Sequence, residues 1–146
     1  MDKKILEFGT DILRSERFQT AKQVKHHKKH TVADHSIRVA ECALRMGDAL
    51  KKKGIEVEDS DLVRGALLHD IGMTEEKVHE SVSFVKCFTH PRMGARIAER
   101  EYGANKVQRN SVRRHMWPAC IIPPLFAAGW IILAADKYCS VKELRK

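Results

Sequence analysis

The chain contains no C-x-x-C pair: Cys42, Cys87, Cys120 and Cys139 each stand alone. That spacing excludes zinc ribbons, thioredoxin-like redox motifs and small disulfide scaffolds, and points to reduced, mostly packed thiols. Glycine and proline are scarce, at 8 and 4 residues, which removes collagen-like and linker-like architectures. No repeat, low-complexity tract or convincing period-2 alternation is present. The N-terminal MDKKILEFGTDILRSER scatters acids among its apolar residues and lacks the unbroken hydrophobic region of a signal peptide. The most apolar stretch, Ala119 to Ala135, is broken by Pro123-Pro124 and Gly129 and ends at Asp136-Lys137. Its helical part falls short of the ~20 residues a bilayer span needs. A soluble cytoplasmic protein with no membrane partner is expected.

What is present is enough apolar sequence for a core: 43% hydrophobic residues in 146, with 32% charged, the size of one ordinary domain. Acids are outnumbered, 19 against 27 Lys and Arg, giving a formal charge of +8. Such a surface attracts phosphate-bearing partners.

Apolar residues recur at helical spacing almost throughout, so the chain reads as all-α, a bundle of about five to seven helices. A first helix is expected over about residues 2–18, burying Ile5, Phe8, Ile12 and Leu13. A second, over about 32–53, repeats Val32, Val39, Met46 and Ile37, Leu44, with Gly54 as its stop. Ser60 is the expected N-cap of a third, which ends near His69-Asp70-Ile71-Gly72. Thr89 is expected to cap a fourth with Pro91 in its first turn and Gly103 as its stop. Another helix is expected over about 105–116, and a final one after Pro123-Pro124.

Histidine and aspartate fall at inward positions of these elements. His35 shares the stripe of Val39, His69-Asp70 closes an apolar helix, and His90 precedes a helix start. His115 lies on the face of Val107, and Asp136 follows Trp130-Ile131-Ile132-Leu133-Ala134-Ala135. A carboxylate beside such a segment is costly to bury unless a cation or strong donors satisfy it. Imidazoles grouped with carboxylates suit Mn, Fe, Co, Ni or Zn. Taken singly, each histidine also reads as a core residue bonded to a carbonyl, and Asp136 as an arginine's partner.

Four blocks add specificity: ADHSIRVAECAL around His35, RGALLHDIG around His69-Asp70, THPRMGARIA around His90, and LAADKYCS around Asp136. In this order they resemble the HD-domain superfamily of metal-dependent phosphohydrolases, over most of the chain from Thr31 to Ser140. RRHMWPACIIPP is similar to a block of small bacterial members. The resemblance implies one HD domain over 1–146, with an N-terminal helix and basic linker over 1–30 and a metal-binding core over 31–140. It implies one or two divalent transition-metal ions per chain. His35, His69, Asp70 and Asp136 would hold the first, and His90 and His115 the second, with Asp70 bridging. His69 and Asp70 would thus be catalytic, and the reaction would be hydrolysis at phosphorus by metal-activated hydroxide. The expected substrate is a small phosphate-bearing molecule, a nucleotide or dinucleotide.

The chain departs from that family where many members carry lysine after the HD-x-G block and this one has Met73. Arg38, Lys77 and Lys137 are candidate replacements, each of which also reads as a solvated surface cation. Many two-metal relatives pair histidines where this chain has His115-Met116, so a single ion is a second reading. Trp117-Pro118 offers either a wall for a base or a core tryptophan. The stretch KQVKHHKKH reads as a basic linker, with nucleic-acid contact a lesser alternative because no aromatic residue is interleaved. His79 carries no assignment. Two competing functions remain open: a di-iron oxygenase with a similar ligand set, and a non-catalytic nucleotide or nucleic-acid binding module with a structural metal.

Overall fold

The computed structural model describes residues 1–27 and 29–145, so Lys28 of the basic stretch lies outside the described residues. Among these residues the fold is all-α apart from one two-stranded hairpin. The helices are α1 (Lys3–Leu13), α2 (Glu16–Ala21), α3 (Val32–Lys51), α4 (Asp59–Leu68), α5 (Glu76–His79), α6 (Ser83–Tyr102), α7 (Lys106–Arg114) and α8 (Ala127–Arg145). A 3-10 turn, Ile71–Thr74, links α4 to α5, and strands β1 (Lys25–His27) and β2 (His30–Thr31) precede α3.

The expected first helix is two helices. Ser15 interrupts it, its side chain accepting from the Phe18 N–H to start α2, as an N-cap serine does. This break and the short α5 raise the helix count above the expected range. The basic stretch is a hairpin rather than a linker, its base held by the Val32 N–H donating to the Val24 carbonyl at 2.8 Å. Thr31 and Asp34 form a capping box that starts α3. Gly54, at φ 89°, and Gly103, at φ 61°, take the left-handed conformation after α3 and α6.

Two helix starts differ from expectation. Glu58, not Ser60, precedes α4. The first turn of α4 instead presents Asp59 to Lys4 and Lys51, at 2.7 and 2.5 Å. Helix α6 begins at Ser83, so Pro91 lies inside it and Thr89 is no cap; the Thr89 hydroxyl donates back to the Val85 carbonyl. Proline costs the helix one backbone hydrogen bond there, and packing of α6 against α7 and the 3-10 turn keeps the helix continuous. Asn105 caps α7 in a second capping box, with Gln108.

Helix α3 packs between α4 and α8, while α7 lies against α4, α6 and α8. Their shared core contains Val39, Ala43, Leu62, Ala66, Leu67, Val112, Ile132 and Ala135, each at most 2% exposed. No described helix is long and apolar enough to cross a membrane. All four cysteines are free thiols, Cys42 and Cys139 buried and the other two half-buried.

Candidate metal centre

Five elements bring six polar side chains to one point in this core. His35 comes from the first turn of α3, His69 and Asp70 from the end of α4, His90 from the middle of α6, His115 from the C-terminus of α7, and Asp136 from α8. His35, His69 and His115 are 0% exposed, and Asp70, His90 and Asp136 no more than 5%. His90 thus reaches the centre from inside a helix rather than from ahead of one. Gly72 permits its approach: a Cβ there would stand 2.1 Å from the His90 carbonyl oxygen and 2.9 Å from the Gly94 nitrogen. Only glycine lets the 3-10 turn lie this close to α6.

Asp70 is the hub. Its Oδ2 lies 3.2 Å from His69 Nε2 and 3.9 Å from His35 Nε2, whereas its Oδ1 lies 3.2 Å from His90 Nε2 and 3.3 Å from His115 Nε2. Asp136 Oδ1 completes the first side, 2.8 Å from His35 Nε2 and 3.5 Å from His69 Nε2. The carboxylate therefore turns one oxygen to each of two groups of imidazoles.

In each of the four rings Nδ1 is already committed. His69 and His115 donate from Nδ1 to the carbonyls of Ala66 and Val112, at 2.7 and 2.6 Å, and His90 donates to Lys86. His35 donates from Nδ1 to Glu143 Oε2 at 2.6 Å. A neutral imidazole protonated at Nδ1 presents a lone pair at Nε2, so in their neutral forms the four rings turn Nε2 lone pairs toward two carboxylates. Two consequences show a shortage of positive charge. His90 and His115 face each other Nε2 to Nε2 at 3.0 Å, and the buried Nε2 of His69 has no hydrogen-bond partner. This is the donor set of a mixed N/O metal site, with ring orientations fixed by outer hydrogen bonds as metal-binding histidines require. The groups His35, His69, Asp136 and His69, Asp70, His115 each bring their donor atoms within 4.8 Å of one another. The residues present fit a divalent metal ion beside Asp70.

The electrostatics agree. Burial opposes charge on His69, but Asp70 and Asp136 outweigh it and hold the imidazole pKa well above 6.5. Burial likewise opposes ionisation of Asp70 and Asp136, yet their histidine neighbours keep both carboxyls well below 3.8. Burial dominates at His115 and lowers its pKa. The cluster without metal recruits a proton to do part of a cation's work.

A pocket of about 360 Å³ opens onto Asp70, His90 and Asp136. Val24, Val32, Met73 and Met116 provide its apolar wall, and Lys25, Lys86 and Lys137 its cations. Of the three cations anticipated from sequence, Lys137 lies here, its Nζ 3.9 Å from Asp136 Oδ2. Arg38 does not line this pocket; it donates to Glu143 Oε1 at 2.9 Å and lines a separate groove with Arg45 and Lys142. Lys77 is exposed on α5 and lines another groove with Arg92 and Arg96. Trp117 packs edge-on against Trp130 and is not part of the pocket lining, where Met116 stands instead. His79 lies at the pocket rim.

Sequence reasoning missed two residues of the centre. Glu143 is 3% exposed and holds His35; its position two turns beyond Asp136 on α8, on the same face, was the available signal. His26, from the hairpin, reaches Asp70 Oδ2 at 2.9 Å.

A helical bundle that buries histidines and aspartates from five elements around one carboxylate presents a mixed nitrogen and oxygen donor set able to hold a metal ion. The chain belongs to the HD domain family, whose family model matches residues 32–121. That places it in a superfamily of metal-dependent phosphohydrolases. The match includes His35, His69, Asp70, His90 and His115, and Asp136 lies beyond it. Among solved structures, a conserved hypothetical protein from Pyrococcus furiosus is 21% identical, with a TM-score of 0.59 over 97% of this chain and 76% of that one. That likeness establishes the shared fold. A search of curated proteins finds no match.

Proposed function

We propose that the protein hydrolyses a small phosphate-bearing substrate, a nucleotide or dinucleotide, at the centre built around Asp70. The observation that carries this reading is the Asp70 carboxylate itself, with one oxygen turned toward His35 and His69 and the other toward His90 and His115. Bound on its two sides, divalent ions such as Fe, Mn, Co, Ni or Zn would supply Lewis acidity to the phosphoryl oxygens and acidify water for attack at phosphorus.

The chain's own residues supply the rest. Asp70 and Asp136 hold negative charge in a buried site and so retain cations. The backbone carbonyls behind His69, His90 and His115, together with Glu143 behind His35, fix the rings so that little reorganisation is needed. Lys25, Lys86 and Lys137 draw the anionic substrate and orient its phosphate toward Asp70. Val24, Val32, Met73 and Met116 exclude water and offer apolar surface to a flat group. A cavity of about 360 Å³ falls in the small-molecule range of roughly 300–1,000 Å³ and suits a single nucleotide better than a folded nucleic acid.

The test is a phosphate-release screen over nucleotides, dinucleotides and simple phosphate esters, with each metal in turn, on the wild type and on Asp70→Ala. Release that is metal-dependent and abolished by the substitution is expected. Lys86→Ala and Lys137→Ala should raise KM more than they lower kcat. Turnover that requires dioxygen and releases no phosphate would assign the centre to oxygenase chemistry. Nucleotide binding that survives Asp70→Ala without turnover would make it a binding module.

A further inference from the structure

We infer that His26 is an additional ligand of this centre, delivered by the β1–β2 hairpin to the side of Asp70 that faces His35 and His69. The inference rests on the metal-centre reading and extends it to a segment that the family match does not include, since that match begins at residue 32.

The placement is specific. His26 Nε2 stands 2.9 Å from Asp70 Oδ2, the oxygen that His35 and His69 also face. Its ring stacks on that of His35, with centroids 3.9 Å apart and planes 14° from parallel. The donor atoms of His26, His35 and Asp70 lie within 4.8 Å of one another. Metal–nitrogen bonds of about 2.1 Å put neighbouring donors roughly 3 Å apart, so a small inward movement brings all three onto one ion.

Folding alone does not account for this histidine. It belongs to the most lysine-rich stretch of the chain, yet its side chain is only 11% exposed. Its Nδ1 is buried with no hydrogen-bond partner, and an unpaired buried polar atom carries a cost. The hairpin is built to hold it inward. The ladder is irregular between Lys25 and His27, and both His26 and His27 line the pocket with Asp70. The bond between the Val32 N–H and the Val24 carbonyl fixes the hairpin to the start of α3, one turn before His35. Met73 lines the same pocket and offers no polar group there; His26 provides one.

The hairpin then serves as part of the coordination shell. The measurement is competitive titration of Co2+ against a chromophoric chelator, with the visible Co2+ absorption recorded, on the wild type, His26→Ala, His26→Gln and Asp70→Ala. Circular dichroism verifies folding, and the Gln variant carries the test if Ala unfolds. Asp70→Ala keeps His35, His69 and Asp136 as well as His26, His27 and His30, so its residual binding measures ions held without the shared carboxylate. Both His26 variants should weaken one of the two sites at least tenfold and alter the band intensity of its Co2+ spectrum. Wild-type affinity and an unchanged spectrum in both would overturn the inference while leaving the centre intact, provided Asp70→Ala loses the ions. Retention of the ions by Asp70→Ala would overturn the centre itself.

Discussion

Replacing Glu143 tests whether the hydrogen bonds outside the centre set its affinity for metal. Glu143 accepts from His35 Nδ1 at 2.6 Å and from Arg38 Nη1 at 2.9 Å, in a position only 3% exposed. Glu143→Gln keeps the shape and one neutral acceptor but removes the charged partner that holds the His35 ring through Nδ1. Glu143→Ala removes the acceptor too and leaves the His35 Nδ1–H without its partner in the core. Hydrogen bonds to charged groups contribute about 1.5–3 kcal/mol, and loss of such an outer partner weakens metal sites about 10–100-fold. We expect the Gln variant near the lower end, about 1.4 kcal/mol, and the Ala variant near the upper, about 2.7 kcal/mol. The loss should fall on the site that includes His35 and spare the one formed by His90 and His115. Competitive chelator titration with Zn2+ or Co2+ gives both affinities, and thermal unfolding of the apoproteins separates metal loss from instability. Affinities within twofold of wild type for both variants would refute the reasoning, since His35 would then be oriented without Glu143.

Two further outcomes follow from the geometry. Gly72→Ala forces a Cβ to 2.1 Å from the His90 carbonyl oxygen, so the 3-10 turn and α6 must separate. The expected cost is at least about 1–3 kcal/mol in thermal or denaturant unfolding, with selective loss of the His90 site; wild-type stability would show that the turn moves freely. Metal binding should also be proton-linked. His69 in the apoprotein is raised well above 6.5, so its protonated form contributes stability that is full below about 6.5 and lost as pH rises through the folded value. The depressed Asp70 and Asp136 contribute stability above 3.8 that is lost as pH falls toward their folded values. A cation displaces the His69 proton, so affinity should increase with pH above neutrality. Calorimetry near neutral pH in buffers of different ionisation heat should count at least one proton released; none released would contradict this.

How much could be read from sequence depended on the length of each periodic segment. His35 sits on a long helix whose apolar stripe assigns it inward, and Asp136 follows the most apolar segment of the chain; both are buried. His69-Asp70 and His115 end shorter helices and are equally buried, so their placement was legible too. His90 was expected just ahead of a helix because Thr89 and Pro91 look like a helix start; long-range packing carried α6 back to Ser83. His26 was hidden because β1 has only three residues, too few for alternation to stand out, and its lysine neighbours look like solvated linker. Glu143 lies in the highly charged VKELRK terminus, where an acid reads as surface. The cationic candidates divided for a similar reason. Helix position places a residue on a face, but only the tertiary arrangement puts Lys137 at the pocket and Arg38 and Lys77 on other grooves.

The most direct test of the central claim is the number of ions each chain binds, measured by elemental analysis of untagged protein after equilibration with Mn2+ or Co2+, for wild type, His90→Ala and Asp70→Ala. If Asp70 joins two sites, the wild type holds two ions, His90→Ala keeps one, and Asp70→Ala keeps neither firmly. Two ions retained by Asp70→Ala, or none bound by the wild type, would contradict the account.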